Sequence, residues 1–152
     1  MKARLEAPKV APEAVKALVA LQSYTERCGL ERSLLELVKT RASQINGCAY
    51  CIEMHTSDAR KAGESEERLY LLSAWRESPL YDTRERAALA WTEALTLIAQ
   101  THAPDDVYAE VARHFSEKEL VNLSVAIGMI NIWNRLAIGF RYIHPVRTAS
   151  AA

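Results

Sequence analysis

Apolar residues recur every three to four positions along almost the whole chain, and no run of alternating β-branched residues predicts a strand. Glycine, proline and capping residues divide this helical pattern into seven segments. The predicted helices cover residues 12–28, 31–46, 48–61, 66–76 and 82–102, a sixth that begins at 104, and 120–140. The sequence therefore predicts an all-α fold.

Local signals mark several of these boundaries. Gly47 follows Asn46, and glycine readily ends a helix in the left-handed conformation, so the third helix is expected to open at Cys48. Asp82 and Glu85 have the spacing of a capping box, and the segment 116–119 caps the last helix. A thiol is thus expected at the start of a helix.

The last predicted helix is apolar on nearly every side, which is typical of a central buried helix or of a membrane span. Polar residues interrupt it too often for a lipid environment: Asn122, Ser124, Asn131, Asn134 and Arg135. We expect no membrane association. Burial within protein, including a contact between subunits of a homo-oligomer, is the expectation.

Length and charge limit the classes of protein that remain. A chain of 152 residues with 49% hydrophobic residues predicts a single domain over 1–152, with its core in 31–140 and a loose tail at 147–152. Nineteen basic and nineteen acidic residues give no net charge, which argues against nucleic acid as a partner. Residues 1–11 lack the apolar run of a signal peptide, so the expected location is cytoplasmic.

Cysteine chemistry is concentrated in one segment. Cys48, Cys51 and His55 are spaced three and four residues apart, so one helical face presents all three. A helix N-terminus and a nearby imidazole both favour the reactive thiolate, and the spacing allows a reversible disulfide. The alternative is a pair of inert core cysteines, the role that we expect for the isolated Cys28.

Metal and haem sites are not predicted. A structural zinc site needs four ligands, and a second Cys or His pair at suitable spacing is missing. Covalent haem attachment needs a histidine directly after the second cysteine, where this chain has Ile52. We therefore expect no bound metal and no bound cofactor.

The apolar periodicity alone does not indicate a functional role for Glu36. It lies off the helical face that carries Leu34, Val38 and Ile45. That position predicts a solvated side chain, or one at a subunit interface.

The segment from Glu36 to His55 resembles a known family motif. It contains a glutamate, eleven residues, a Cys-x-x-Cys pair, three residues and a histidine. This arrangement resembles the core motif of the alkylhydroperoxidase D-like family, within the carboxymuconolactone decarboxylase superfamily. The stretches 85–95 and 131–135 are also similar to the family, so the resemblance spans most of residues 31–135.

The resemblance implies a function and a role for each site residue. It implies an all-helical subunit that assembles into trimers or hexamers and reduces organic hydroperoxides through a dithiol–disulfide cycle. Cys51 would attack the peroxide, Cys48 would resolve the intermediate, and His55 with Glu36 would relay protons. An external dithiol would supply electrons, for example a lipoylated protein or a thioredoxin-like donor.

Tyr50 departs from the family pattern, in which a histidine precedes the second cysteine. Tyrosine can donate a hydrogen bond but is a poor base near neutral pH. Tyr50 is therefore a candidate relay residue with weaker proton-transfer chemistry.

The sequence leaves three questions open. The helix dipole favours a thiolate at Cys48, whereas the resemblance assigns attack to Cys51. A carboxymuconolactone decarboxylase-like enzyme, which needs no cysteine pair, is one alternative function. A non-catalytic oligomeric module whose thiols sense oxidant is the other, and repeated hydroperoxide turnover would distinguish an enzyme from such a module.

Overall fold

The computed structural model describes residues 2–146, and within that range the chain forms α-helices and one 3₁₀ turn without any strand. The predicted all-α fold is confirmed. The helices are α1 (Ala7–Val10), α2 (Pro12–Thr25), α3 (Arg32–Asn46), α4 (Ala49–Lys61), α5 (Glu66–Leu71), the 3₁₀ turn (Leu72–Ala74), α6 (Thr83–Thr96), α7 (Ile98–Thr101), α8 (Asp105–His114) and α9 (Glu117–Phe140). The predicted tail at 147–152 lies outside the described residues.

Nine α-helices in residues 2–146 replace the seven predicted. The expected helix 66–76 ends at Leu71 and tightens into the 3₁₀ turn, after which Arg86 donates to the carbonyls of Trp75 and Ser78 at 3.0 and 3.1 Å. The expected helix 82–102 breaks at Leu97, after which the Thr101 hydroxyl donates to the Ala94 carbonyl. Neither break is marked in the apolar pattern of the sequence.

The predicted caps are present. Gly47 ends α3 with φ +70°, a left-handed conformation that glycine adopts without strain. Asp82 and Glu85 form both hydrogen bonds of a capping box at α6, and Ser116 and Glu119 do the same at α9. These local interactions set where α4, α6 and α9 begin.

Helix α9 lies at the centre of the bundle. Leu123, Ile127 and Ile130 are fully buried along it, packed against residues of α3 and α6. Its length and composition alone would also suit a membrane span. In this fold its buried asparagines have protein partners: Asn122 accepts from the Tyr24 hydroxyl, and Asn131 donates to Thr96. Helix α9 is therefore the core helix of the bundle.

One stripe of α9 remains uncovered within the subunit. Val121, Gly128 and Ile132 are exposed on the same face, Val121 by 61%. The predicted homo-oligomer stays a prediction, and this stripe is the surface that such an assembly would cover.

Helix α2 is less buried than its apolar pattern predicts. It ends at Thr25 rather than residue 28, and Val19 remains 49% exposed. Val15, Val19 and Gln22 line a cavity instead of a closed core. This cavity is the one that reaches Cys51.

Candidate active site

The link between α3 and α4 positions the cysteine pair. Only Gly47 and Cys48 separate the two helices, and the left-handed Gly47 turns the chain back sharply. Cys48 is the N-cap of α4, and its sulfur accepts a hydrogen bond from the backbone nitrogen of Cys51 at 3.4 Å. The predicted start of the third helix is thus correct to within one residue.

The two sulfurs lie together in the core. The Sγ atoms of Cys48 and Cys51 are 2.6 Å apart, and each residue is only 1% exposed. Ala42, Ile130 and Ala137 enclose them. Both cysteines are free thiols here, as is Cys28, which is half-buried, packs against the core and donates to the Thr25 carbonyl.

The electrostatics of the pair are unequal. The pKa of Cys48 is lowered to about 7, because the Cys51 thiol and backbone amide and the Asn134 amide all donate to its sulfur and outweigh burial. The pKa of Cys51 is raised, because its thiol proton is held by the Cys48 sulfur and burial disfavours a second charge. Of the two thiols, Cys48 is therefore the one that ionises more readily.

A network of hydrogen-bonded asparagines lies beside the two sulfurs. Asn134 is fully buried and donates to the Ser43 hydroxyl at 3.0 Å, while the Asn46 amide donates to both Asn131 and Asn134. This network fixes the Asn134 amide beside the sulfurs, where its hydrogen bonds lower the pKa of each thiol. The sequence marked Asn134 only as part of a motif, without a role.

Glu36 is buried, so the solvated position expected from periodicity is wrong. Its two oxygens have different partners: Oε2 lies 3.0 Å from Nδ1 of His55, and Oε1 lies 2.5 Å from Nζ of Lys39. Burial would raise the pKa of Glu36, but the hydrogen bond from His55 and the charge of Lys39 lower it overall. The carboxylate is thus ionised between a cation and an imidazole.

Lys39 is the site residue that the sequence reasoning missed. It is 5% exposed, which is rare for lysine unless it is paired, and its partner is the Glu36 carboxylate. Its spacing of three residues from Glu36 was the available signal, since such pairs face each other on a helix.

An apolar cavity of about 280 Å³ reaches Cys51 and His55. Its walls come from α2, α4 and α9, with Val15, Met54 and Trp133 among them. Tyr50, the candidate relay residue, lines it as well, with its ring edge-to-face against that of Tyr142 at 5.7 Å. His55 follows Cys51 by one helical turn, so both can act on a ligand in this cavity.

A second, polar cavity of about 380 Å³ approaches His55 from the other side. Lys39, Met54 and His55 line both cavities, and Glu36 and Asp58 line only the polar one. Within residues 2–146, no group of three or more Cys, His, Asp or Glu side chains is placed to hold a metal ion. The chemistry available to the site is that of thiols with an imidazole–carboxylate pair.

Residues 12–94 match the model of the carboxymuconolactone decarboxylase family. The chain belongs to this family. The uncharacterized protein YdfG of Bacillus subtilis strain 168 is 45% identical over 138 residues, which cover 91% of this chain and 94% of YdfG.

Solved structures place the chain in the alkylhydroperoxidase D-like branch of the superfamily. Protein ATU0492 of Agrobacterium tumefaciens, described as a candidate antioxidant defence protein of the AhpD type, is 51% identical with a TM-score of 0.94, covering 96% of this chain and all of the other. An alkylhydroperoxidase AhpD core protein of Ralstonia eutropha JMP134 shares the fold at 16% identity and a TM-score of 0.79, covering 91% and 74% of the two chains.

Proposed function

We propose that this protein is a dithiol-dependent peroxidase that reduces organic hydroperoxides. One observation carries the proposal: Cys51 and His55 line a single apolar cavity, and the Cys48 sulfur lies 2.6 Å behind that of Cys51. A nucleophile, its base and a resolving thiol are thereby available to one ligand.

The imidazole is oriented to act as a base toward the cavity. Glu36 is ionised and can only accept at Oε2, so Nδ1 of His55 carries the proton and donates it to the carboxylate. In the neutral imidazole, the opposite nitrogen Nε2 is then the acceptor. It can accept the thiol proton of Cys51 when substrate is bound.

Oxidation proceeds in two steps. The Cys51 thiolate attacks the distal oxygen of the hydroperoxide, the O–O bond breaks, and the alkoxide takes the proton from His55 to leave as an alcohol. Cys51 becomes a sulfenic acid. The Cys48 thiolate then attacks the Cys51 sulfur, forming the disulfide and releasing hydroxide, which is protonated to water.

An external dithiol completes the cycle by reducing the Cys48–Cys51 disulfide and is itself oxidised to a disulfide. A lipoylated protein or a thioredoxin-like donor has the required chemistry. Each turnover then converts one hydroperoxide and one dithiol into an alcohol, water and a disulfide, with electrons and atoms in balance.

Access supports Cys51 as the attacking residue despite the lower pKa of Cys48. Cys51 lines the apolar cavity, and Cys48 does not. The Cys51 thiol proton, held between two sulfurs 2.6 Å apart, can move to His55 as the substrate approaches. The Cys48 thiolate is then suited to the second step, in which it attacks sulfur.

The cavity walls also bear on the substrate class. Val15, Met54 and Trp133 offer dispersion contacts to a hydrocarbon group and few hydrogen bonds to a small polar ligand. We therefore propose organic hydroperoxides as better substrates than hydrogen peroxide.

Steady-state turnover tests the proposal. Cumene hydroperoxide and hydrogen peroxide are each supplied with dihydrolipoamide, beside the Cys51→Ser variant. Many turnovers per chain with the organic substrate, lost in the variant, would support an enzyme. Reaction of a single equivalent without recycling would point to an oxidant sensor, and the absence of any thiol reaction would leave the decarboxylase-like alternative.

A further inference from the structure

The two cysteines of the site line different openings. Cys51 lines the apolar cavity, whereas Cys48 lines a separate cleft of about 230 Å³ beside the start of α4 and the end of α9. Ala49, Ile138 and Arg141 belong to the cleft alone. Neither opening includes both cysteines.

A wall of shared residues divides the two openings. Tyr50, Ala137 and Tyr142 line both. The rings of Tyr50 and Tyr142 make an edge-to-face contact in this wall, with centroids 5.7 Å apart. A molecule in one opening therefore does not occupy the other.

We propose that the reducing dithiol enters through the cleft and attacks Cys48, while the hydroperoxide uses the apolar cavity and reacts at Cys51. This inference rests on the proposed peroxidase function. It assigns to the cleft a ligand class, a small dithiol of the lipoyl type. The reductant and the hydroperoxide then approach the cysteine pair from opposite sides.

The geometry of disulfide exchange requires such an approach. A thiolate attacks a disulfide sulfur along the extension of the S–S bond, away from the leaving sulfur. An attack on Cys48 must then come from the side opposite Cys51. The cleft contains Cys48 without Cys51, as this approach demands.

The exchange steps balance without any further reagent. The reductant's first thiolate bonds to the Cys48 sulfur, the Cys48–Cys51 bond breaks, and Cys51 leaves as a thiolate that is protonated. The second thiolate of the reductant then attacks the reductant's own first sulfur and displaces Cys48. The hydrogen bonds that favour a Cys48 thiolate also make Cys48 a good leaving group in this second step.

Charge in the cleft matches an anionic reductant. Arg141 is exposed at the C-cap of α9 and lines the cleft beside Cys48. A guanidinium there attracts the attacking thiolate and any carboxylate that follows it. Dihydrolipoate should consequently react faster than the neutral dihydrolipoamide at low salt.

Paired tryptophan variants test the inference in separate half-reactions. Ile138→Trp narrows the cleft, and Val19→Trp narrows the apolar cavity; the two side chains are 45% and 49% exposed, so both substitutions are made at the surface. Ala109→Trp on the exposed side of α8 is the control. Reduction is followed by stopped flow from protein oxidised with diamide, and oxidation is followed from the dithiol with cumene hydroperoxide.

We expect Ile138→Trp to slow reduction by dihydrolipoate about tenfold and Val19→Trp to slow oxidation about tenfold, each with little effect on the other half-reaction. Arg141→Gln should abolish the preference for dihydrolipoate over dihydrolipoamide. Slowing of both halves by Val19→Trp, with none by Ile138→Trp, would overturn the inference. Because diamide forms the disulfide, this result does not depend on peroxidase activity, whose failure would appear only in the oxidative half.

Discussion

The sulfur of Cys48 lies 2.6 Å from the sulfur of Cys51 and 3.4 Å from its backbone nitrogen. The backbone amide of Cys51 thus donates to the Cys48 sulfur, and the two thiols share a hydrogen bond. This asymmetry concentrates negative charge on the residue at the helix N-cap. The reacting charge must therefore be transferred to Cys51 before attack, and this transfer can be measured.

The first prediction concerns thiolate titration. In a Cys28→Ser background, ultraviolet absorbance should show one thiolate per chain with a midpoint near pH 7, since the pKa of Cys48 is lowered to about 7. The second thiol should stay protonated far into the alkaline range, because the pKa of Cys51 is raised. Two thiols titrating together at the ordinary value of about 8.5 would contradict the asymmetry.

The serine variants separate the roles of the two cysteines. In Cys48→Ser, Cys51 should react with one equivalent of hydroperoxide and persist as a sulfenic acid that a dimedone-type reagent traps. In Cys51→Ser, little adduct should form. Mass mapping of the adduct decides the matter. Trapping at Cys48 alone would show that the N-cap charge, rather than access to the cavity, selects the attacking sulfur.

The imidazole–carboxylate pair should affect the oxidation rate in a graded way. His55→Ala removes the base and should slow oxidation about 100-fold, within the usual contribution of general base catalysis. Glu36→Gln leaves the imidazole but disturbs its orientation and should cost about tenfold. His114→Ala, which removes a surface imidazole paired with Glu110, is the matched control and should have no effect. Equal rates in all three variants would exclude a relay.

Lys39 should contribute to stability through Glu36. Lys39→Met leaves a buried carboxylate without its cation and should lower the free energy of unfolding by about 3 kcal/mol at neutral pH. Lys61→Met, which breaks an exposed pair with Asp58, should cost under about 1 kcal/mol. Urea denaturation measures the free energy of unfolding of both variants. Equal losses would show that the buried Lys39–Glu36 pair contributes no more to stability than the exposed pair.

The pH dependence of the same variants has a defined sign. The pKa of Glu36 is lowered in the folded protein, so its stabilising contribution is present above the ordinary glutamate value of 4.5 and is lost as pH falls through the folded value. Without Lys39, its charge and its hydrogen bond no longer lower the pKa of Glu36, so that pKa rises. The stability of Lys39→Met should therefore fall at a higher pH than that of the unaltered chain.

Local signals in the sequence were enough for the elements that carry the cysteines. Gly47 predicted the end of α3, and the position of Cys48 at the start of α4 followed from it. Capping boxes at Asp82 and Ser116 likewise marked α6 and α9. These signals lie within four residues of what they determine, so no tertiary information is needed.

Features that depend on distant partners were not predictable. The carbonyls of Trp75 and Ser78, which follow the break at Leu71, accept from Arg86 on another helix, and the apolar pattern does not show this partner. Periodicity predicted that Glu36 is solvated or lies at a subunit interface. A helical pattern does not show that Lys39 and His55 stabilise the buried carboxylate of Glu36. The separate openings at Cys48 and Cys51 arise where α2, α4 and α9 meet. They cannot be predicted from the spacing of the cysteines.

The most direct test of the account is a single-turnover thiol count. The fully reduced protein receives one equivalent of cumene hydroperoxide, is alkylated under denaturing conditions, and is mapped by mass spectrometry. The account predicts a Cys48–Cys51 disulfide, one labelled cysteine at Cys28, and one equivalent of cumyl alcohol. Alkylation of Cys48 and Cys51 with the hydroperoxide unconsumed would contradict the dithiol mechanism.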